Sequence, residues 1–171
     1  MKKIMTLLLV LSASIANAQA YKGKGDIKAQ VGANVQTGTQ GIFASGDYGI
    51  GENISIGLSA NYSLSANQEY FNYLTLSSES PAFLDRVDLK ARFNANIGNV
   101  LGLDKKMDVY PGLDLGTRNF GIHAGFRYFF TDGFGVFGEA GLPLAKYSTN
   151  ASVFSNYNNQ FAFNVGASFN L

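Results

Sequence analysis

The 171-residue chain is 46% hydrophobic and 15% charged, with 20 glycines, 14 phenylalanines and 9 tyrosines, and with neither cysteine nor tryptophan. This length favours a single domain, the apolar content excludes intrinsic disorder, and the lack of cysteine excludes disulfide scaffolds and thiolate zinc sites. Because 13 basic residues stand against 12 acidic ones, the chain has no basic excess of the kind that nucleic-acid binding requires.

Residues 1–20 have the pattern of a secretory signal peptide. Two lysines precede the apolar run 4–15, which is shorter than the roughly 20 residues that a spanning helix needs. The small residues that follow predict cleavage after Ala18, with cleavage after Ala20 as the alternative. We therefore expect residues 1–18 to be removed during Sec-dependent export, and residues 19–171 to form the mature domain.

From residue 26 onward the dominant hydrophobic pattern has a period of two. In the first such segment, Ile27, Val31 and Val35 lie on one face, with polar residues or glycine between the apolar positions. Since side chains alternate between the two faces of a strand, each segment predicts a strand with one apolar and one polar face. The eight predicted strands are 27–36, 41–50, 54–65, 87–97, 107–116, 120–130, 135–145 and 161–171.

Eight amphipathic strands predict an all-β fold, a closed antiparallel up-and-down barrel. Segments of about 10 residues match transmembrane strands, and the polar face is rich in glycine, serine and asparagine, which suits a narrow polar interior. An isolated buried charge is costly, so we expect the charges on this face to form a neutralising network in the lumen. The predicted network consists of Lys28, Asp47, Asp88, Lys90, Arg92, Asp108, Asp114, Arg127 and Glu139.

Aromatic residues near the predicted strand ends fit the girdles of a transmembrane barrel. Ordinary packing within the barrel is the alternative for each of them. The residues concerned are Tyr48, Tyr62, Tyr110, Phe120, Phe130 and Phe169.

Four features carry a family resemblance: the signal-peptide ending 16–19 (ANAQ), the segments 121–130 (GIHAGFRYFF) and 135–141 (GVFGEAG), and a last strand ending Phe169-Asn170-Leu171. With these features the chain resembles the small OmpA/OmpX-like outer-membrane barrels, whose last strand usually ends in Phe. In particular the chain is similar to barrels of flavobacteria-type Gram-negative bacteria. The resemblance implies an outer-membrane location and recognition by the outer-membrane assembly machinery. It also implies periplasmic termini and two long outer loops, 66–82 and 146–158.

The only histidine, His123, falls on the predicted polar face. A structural role in the lumen is favoured over a catalytic one, because no adjacent His-Ser pair of the kind found in outer-membrane deacylases is present. No cofactor or metal site is predicted. Two alternatives remain: a lipid-modifying outer-membrane enzyme that uses His123, and a soluble periplasmic ligand-binding barrel of the lipocalin type.

The outer loop 66–82 carries the aromatic residues Tyr70, Phe71 and Tyr73. They predict contact with a surface partner or lipopolysaccharide, while pairing or insertion into the outer girdle is the favoured competing interpretation. We expect a monomeric, non-catalytic membrane barrel in contact with outer-membrane lipid and lipopolysaccharide, with a structural or surface-interaction role.

Overall fold

The computed structural model describes residues 19–64, 70–72, 77–79, 82–147 and 158–171; side chains between residues 65 and 81 are outside that description. The predicted signal peptide also lies outside the described residues. The described elements are β1 (Ile27–Gln36), β2 (Thr39–Gly49), β3 (Ile54–Ser63), β4 (Tyr70–Asn72), β5 (Ser77–Glu79), α1 (Phe83–Arg86), β6 (Val87–Ala95), β7 (Met107–Gly116), β8 (Asn119–Phe129), β9 (Phe134–Lys146) and β10 (Ala162–Asn170).

Eight strands close into one antiparallel barrel in the order β1-β10-β9-β8-β7-β6-β3-β2. The first and last strands are in register from Lys28 opposite Asn170 to Gln36 opposite Ala162, which leaves no open edge. The predicted fold and all eight strands are confirmed, with bounds that differ by at most two residues. Strands β4 and β5 form a separate hairpin within the long segment between β3 and β6.

The two ends of the barrel differ in construction. At one end, which we call the termini end, lie residues 19 and 171 and the turns 50–53, 96–106 and 130–133. At the opposite loop end, residues 64–86 connect β3 to β6 and residues 147–161 connect β9 to β10. At residues 19–26 a segment that we call the N-terminal strap runs along the termini end. Its Ala20 is fully buried and donates its N–H to Lys105 O (2.8 Å).

The strap is fixed by two further turns of the termini end. The Tyr21 hydroxyl lies 2.7 Å from Ile54 O and 3.0 Å from Gly51 O, and Lys22 forms an ion pair with Asp132 at 3.1 Å. The strap therefore joins three separate turns.

The period-two pattern divides the barrel wall into two opposite faces. In β1, Gln30 is fully buried whereas its neighbour Val31 is 52% exposed. Large apolar side chains of the barrel strands are mostly on the outside, and the buried side chains are mostly polar or charged. The fold thus has a polar interior and an apolar exterior, the reverse of a soluble protein. Within the described residues, no helix has the length and apolar character needed to cross a membrane.

Candidate functional site: the charged lumen

The interior holds the nine charged residues named from the sequence. Eight of them are buried and Lys90 is half-buried. The structure adds Asp26, which the sequence analysis did not include and which is buried against Lys28. Among the described residues, six acidic and four basic side chains therefore face the interior.

A first group of ion pairs, which we call the termini-end cluster, consists of Asp26, Lys28, Asp108 and Arg127. The Lys28 ammonium pairs with Asp26 through a short hydrogen bond. Arg127 Nε lies 3.3 Å from Asp108 Oδ2, and Asp108 Oδ1 also accepts the backbone N–H of Gly98 at 3.0 Å. Two cations thus balance two carboxylates, each with its own partner.

A second group, the central cluster, consists of Arg92, Asp114, His123 and Glu139. Arg92 Nη2 donates to Glu139 Oε2 at 2.5 Å, and its Nε lies 3.9 Å from Asp114 Oδ1. The same Asp114 oxygen lies 3.0 Å from His123 Nδ1. One guanidinium is therefore shared by two carboxylates, and the histidine contacts the second of them.

His123 is held on both sides of its ring. Its Nε2 lies 2.8 Å from Asn94 Oδ1, and its Nδ1 faces Asp114. The residue is almost fully buried. Neither ring nitrogen is open to a substrate, so this geometry offers no general base or nucleophile activator at the barrel rim.

Asp47 is also buried and lies within electrostatic reach of Arg92. Neither of its carboxylate oxygens has a hydrogen-bond partner among the described residues. Its backbone neighbours across the sheet are Lys28 on β1 and Gly57 on β3. Among the described residues, Asp47 is therefore a lumen carboxylate that interacts with a cation without a hydrogen bond or a close ion pair.

At the loop end the lumen is closed by amide side chains around Asn158, which has the positive φ of 59°. Asn158 Oδ1 accepts from Gln36 Nε2 at 2.8 Å, and the Asn158 backbone N–H donates to Gln36 Oε1 at 3.1 Å. Asn119 Nδ2 donates to Asn158 O at 3.0 Å. Asn158 lies at the end of the connection between β9 and β10, so the described part of that connection just before β10 reaches the barrel mouth. A further ion pair in the lumen joins Lys90 Nζ and Asp88 Oδ2 at 3.6 Å.

Among the described residues, four aromatic rings also lie inside the barrel, against the expectation that small polar residues fill it. They are Phe43, Tyr110, Phe129 and Phe137. The prediction of Tyr110 as a girdle residue was wrong: its ring lies 4.1 Å from the Arg127 guanidinium carbon and 6.2 Å from the His123 ring. Gly125 on the neighbouring strand makes room for it, because a Cβ there would lie 2.1 Å from the Tyr110 ring.

The inward orientation of three of these rings could have been predicted from the sequence. Tyr110 is two residues from Asp108, Phe137 is two from Glu139, and Phe43 is four from Asp47. Each therefore shares the face of a residue assigned to the lumen, because side chains two or four apart in a strand point the same way.

The predicted contact residues of the outer loop have limited structural description. The backbones of Tyr70 and Phe71 lie in β4, which pairs with β5, whereas Tyr73 lies outside the described residues. In the described part of the chain, no group of three or more His, Asp or Glu side chains is placed to hold a metal ion.

Three solved structures share the barrel architecture. The N-terminal β-barrel domain of Pseudomonas aeruginosa OprF has a TM-score of 0.57 at 11% identity, covering 88% of this chain and 100% of that one. A protein from the de novo design of transmembrane β-barrels gives 0.51 at 9% identity, with 88% and 98% covered. The solution structure of the designed protein TMB2.3 gives 0.50 at 15% identity, with 88% and 97% covered. At these identities the likeness shows the fold alone.

Sequence comparison gives the family. No curated protein shows significant similarity to this chain. A family model matches residues 11–171, which include the whole barrel. The chain therefore belongs to DUF6646, a family of unknown function.

Proposed function

We propose that this protein is an integral outer-membrane β-barrel without catalytic activity, monomeric and exported through a cleaved signal peptide. The termini end faces the periplasm and the loop end faces outward. Its role is structural or one of surface interaction through the outer loops 66–82 and 146–158.

The observation that carries the proposal is the inverted distribution of polarity. Apolar residues such as Val31, Leu58 and Leu113 are exposed on different strands of the wall, while the charged residues are enclosed. In water such an exterior would be a very large apolar patch, whereas lipid solvates it. The similarity to an outer-membrane barrel domain and to designed transmembrane barrels supports the same placement.

The interior supports a structural role over open-pore transport. An eight-stranded barrel has room for little beyond its own side chains. Here Arg92 and Glu139 meet across the lumen, four aromatic rings add bulk, and amides around Asn158 close the loop end. We infer that ions and solutes do not pass freely.

The two alternative functions have less support. A lipocalin-type barrel keeps an apolar cavity inside, whereas the interior here is lined by charges and amides. A lipid-modifying enzyme needs a reactive group at the lipid-exposed rim, whereas the single histidine is buried with both ring nitrogens engaged.

The partners proposed for the protein follow from its location. The exterior would contact outer-membrane lipid, and the outer loops would contact lipopolysaccharide or another surface. The last strand, β10, has alternating residues up to Asn170 and would be recognised by the assembly machinery during insertion.

Fractionation combined with a heat-modifiability gel tests the proposal. We expect the mature protein in the outer-membrane fraction, extracted only by detergent, with different gel mobility before and after boiling. The intact mass should correspond to a chain beginning at Gln19. A protein that stays soluble in the periplasm without detergent and shows no mobility shift would refute the membrane assignment.

Activity assays on the same preparation test the non-catalytic assignment. Lipid A from cells that express the wild-type protein or the variant His123→Ala should be identical in composition. A change in lipid A that depends on His123 would overturn the proposal of a non-catalytic barrel.

A further inference from the structure

The short helix α1 presents two large apolar side chains to the surroundings at the loop end. Phe83 is 67% exposed and Leu84 is 76% exposed, comparable to the 69% of Leu58 on the barrel wall. A four-residue helix cannot bury these side chains against itself. We therefore expect lipid or protein to cover them.

The orientation of α1 is fixed by contacts on its other side. Arg118, from the turn between β7 and β8, donates from Nη2 to Leu84 O at 2.5 Å and lies 3.9 Å from Asp85 Oδ1. Asp85 Oδ2 accepts the N–H of Ala82 at 3.0 Å. The polar groups of the helix therefore bind to the barrel rim and to the helix start, which leaves Phe83 and Leu84 pointing away.

Phe83 continues the apolar outer face of β3. Its ring centroid lies 5.8 Å from that of Tyr62, which is in the same outward-facing row as Leu58 and Leu64. The exposed part of α1 is thus continuous with the wall that we assign to lipid, and it lies at the end of that wall.

We propose that α1 is an interfacial anchor, whose Phe83 and Leu84 insert into the head-group and acyl-chain boundary of the leaflet at the loop end. This inference rests on the proposed membrane function. Arg118 and Asp85 then lie at head-group level, and apolar side chains of interfacial helices enter about 5–10 Å into the boundary region. A protein partner fits less well, because a specific interface buries about 1,000 Å² or more and two side chains supply a small part of that area.

Tryptophan fluorescence can test the anchor directly, because the chain contains no tryptophan. The variant Leu84→Trp places a single reporter on α1, and Leu58→Trp places one on the barrel wall as the matched control. Each variant is reconstituted in vesicles of phosphatidylcholine brominated either near the head groups or near the chain ends. Leu84→Trp unfolded in concentrated urea gives the value for a water-exposed reporter.

We expect head-group-proximal bromines to quench Leu84→Trp at least as strongly as they quench Leu58→Trp, and chain-end bromines to quench it less. If Leu58→Trp is quenched while Leu84→Trp keeps the emission of the water-exposed reporter, α1 lies in water or against protein and the anchor is refuted. If neither reporter is quenched, the proposed membrane function fails as well. The two failures are therefore distinguishable.

Adding Arg118→Ala to Leu84→Trp tests how the anchor is held. Loss of the bond to Leu84 O should weaken the shallow quenching, while Leu58→Trp with Arg118→Ala should be quenched as before and so report an intact barrel. Unchanged quenching of the α1 reporter would refute the positioning role of Arg118.

Discussion

The termini-end cluster and the central cluster differ in how their buried charges are compensated. In the first, Lys28 and Arg127 each have a carboxylate of their own, whereas in the second Arg92 alone serves both Glu139 and Asp114. A buried charge that loses its partner keeps its desolvation cost without compensation. The comparison indicates that the stability of the lumen depends more on Arg92 than on any cation with a single partner.

The largest expected effect is that of Arg92→Met. It leaves Glu139 and Asp114 without their guanidinium, and breaking a buried ion pair costs about 3–5 kcal/mol of unfolding free energy. Urea unfolding of the refolded barrel in lipid vesicles, followed by the gel-mobility shift, measures this loss. Lys22→Met, at a partly exposed ion pair, serves as the control and should change stability by less than about 1 kcal/mol.

Arg127→Met should have a smaller effect, which is the direct test of the comparison. Asp108 keeps the backbone N–H of Gly98 after the substitution, so we expect a loss nearer the roughly 1.5–3 kcal/mol of a hydrogen bond to a charged group. An equal or greater loss than that of Arg92→Met would contradict the distinction between the clusters.

Tyr110 separates the two clusters, and Gly125 determines whether it fits. A Cβ at residue 125 would meet the Tyr110 ring at 2.1 Å, whereas one at Gly46, on the outer face, would meet nothing within 4 Å. Overpacking typically costs about 1–3 kcal/mol, so Gly125→Ala should lower the free energy of unfolding by that amount. Gly46→Ala is the matched control, and equal stability of the two variants would show that the ring can move without cost.

The barrel could be predicted from the sequence because the alternation of apolar with polar or glycine residues recurs on every barrel strand. The same alternation indicates which face carries the charged residues, since Asp108 and Asp114 each fall between apolar neighbours and Glu139 precedes the apolar Ala140. A slip of one residue would reverse the two faces of a strand, so the pattern specifies the register strongly.

Features that depend on contacts between distant segments were not predictable in this way. Asn158 meets Gln36 and Asn119 only after the barrel closes, and no local pattern marks it. Ala20 and Tyr21 precede the first strand, so alternation says nothing of the strap that they form. Which carboxylate Arg92 binds depends on the shear of the barrel, which the sequence pattern leaves open.

Asp47 tests whether the excess negative charge is costly. Because neither oxygen has a hydrogen-bond partner among the described residues, Asp47→Asn removes a charge without breaking a hydrogen bond. The attraction to Arg92 that is lost offsets the desolvation cost that is removed, so we expect a change in unfolding free energy of less than about 1 kcal/mol. Asp114→Asn is the matched control, since Asp114 contacts both Arg92 and His123, and it should destabilise the barrel. A clear loss for Asp47→Asn would mean that the attraction between Asp47 and Arg92 exceeds the cost of burying the carboxylate.

The smallest expected loss of stability concerns the strap at the termini end. Tyr21→Phe removes the hydroxyl that donates to the backbone at Gly51 and Ile54, which should cost about 0.5 kcal/mol, the low end for a single hydrogen bond. Burial, and next the charge of Asp26, raise the pKa of Tyr21 to about 12 in the folded protein from 10.0. Since the folded pKa is raised, this contribution is present below pH 10 and is lost as pH rises towards 12. The difference in unfolding free energy between the wild type and Tyr21→Phe should therefore shrink across that interval. A difference that stays constant from pH 9 to pH 12 would show that folding does not hold the Tyr21 hydroxyl in its protonated form.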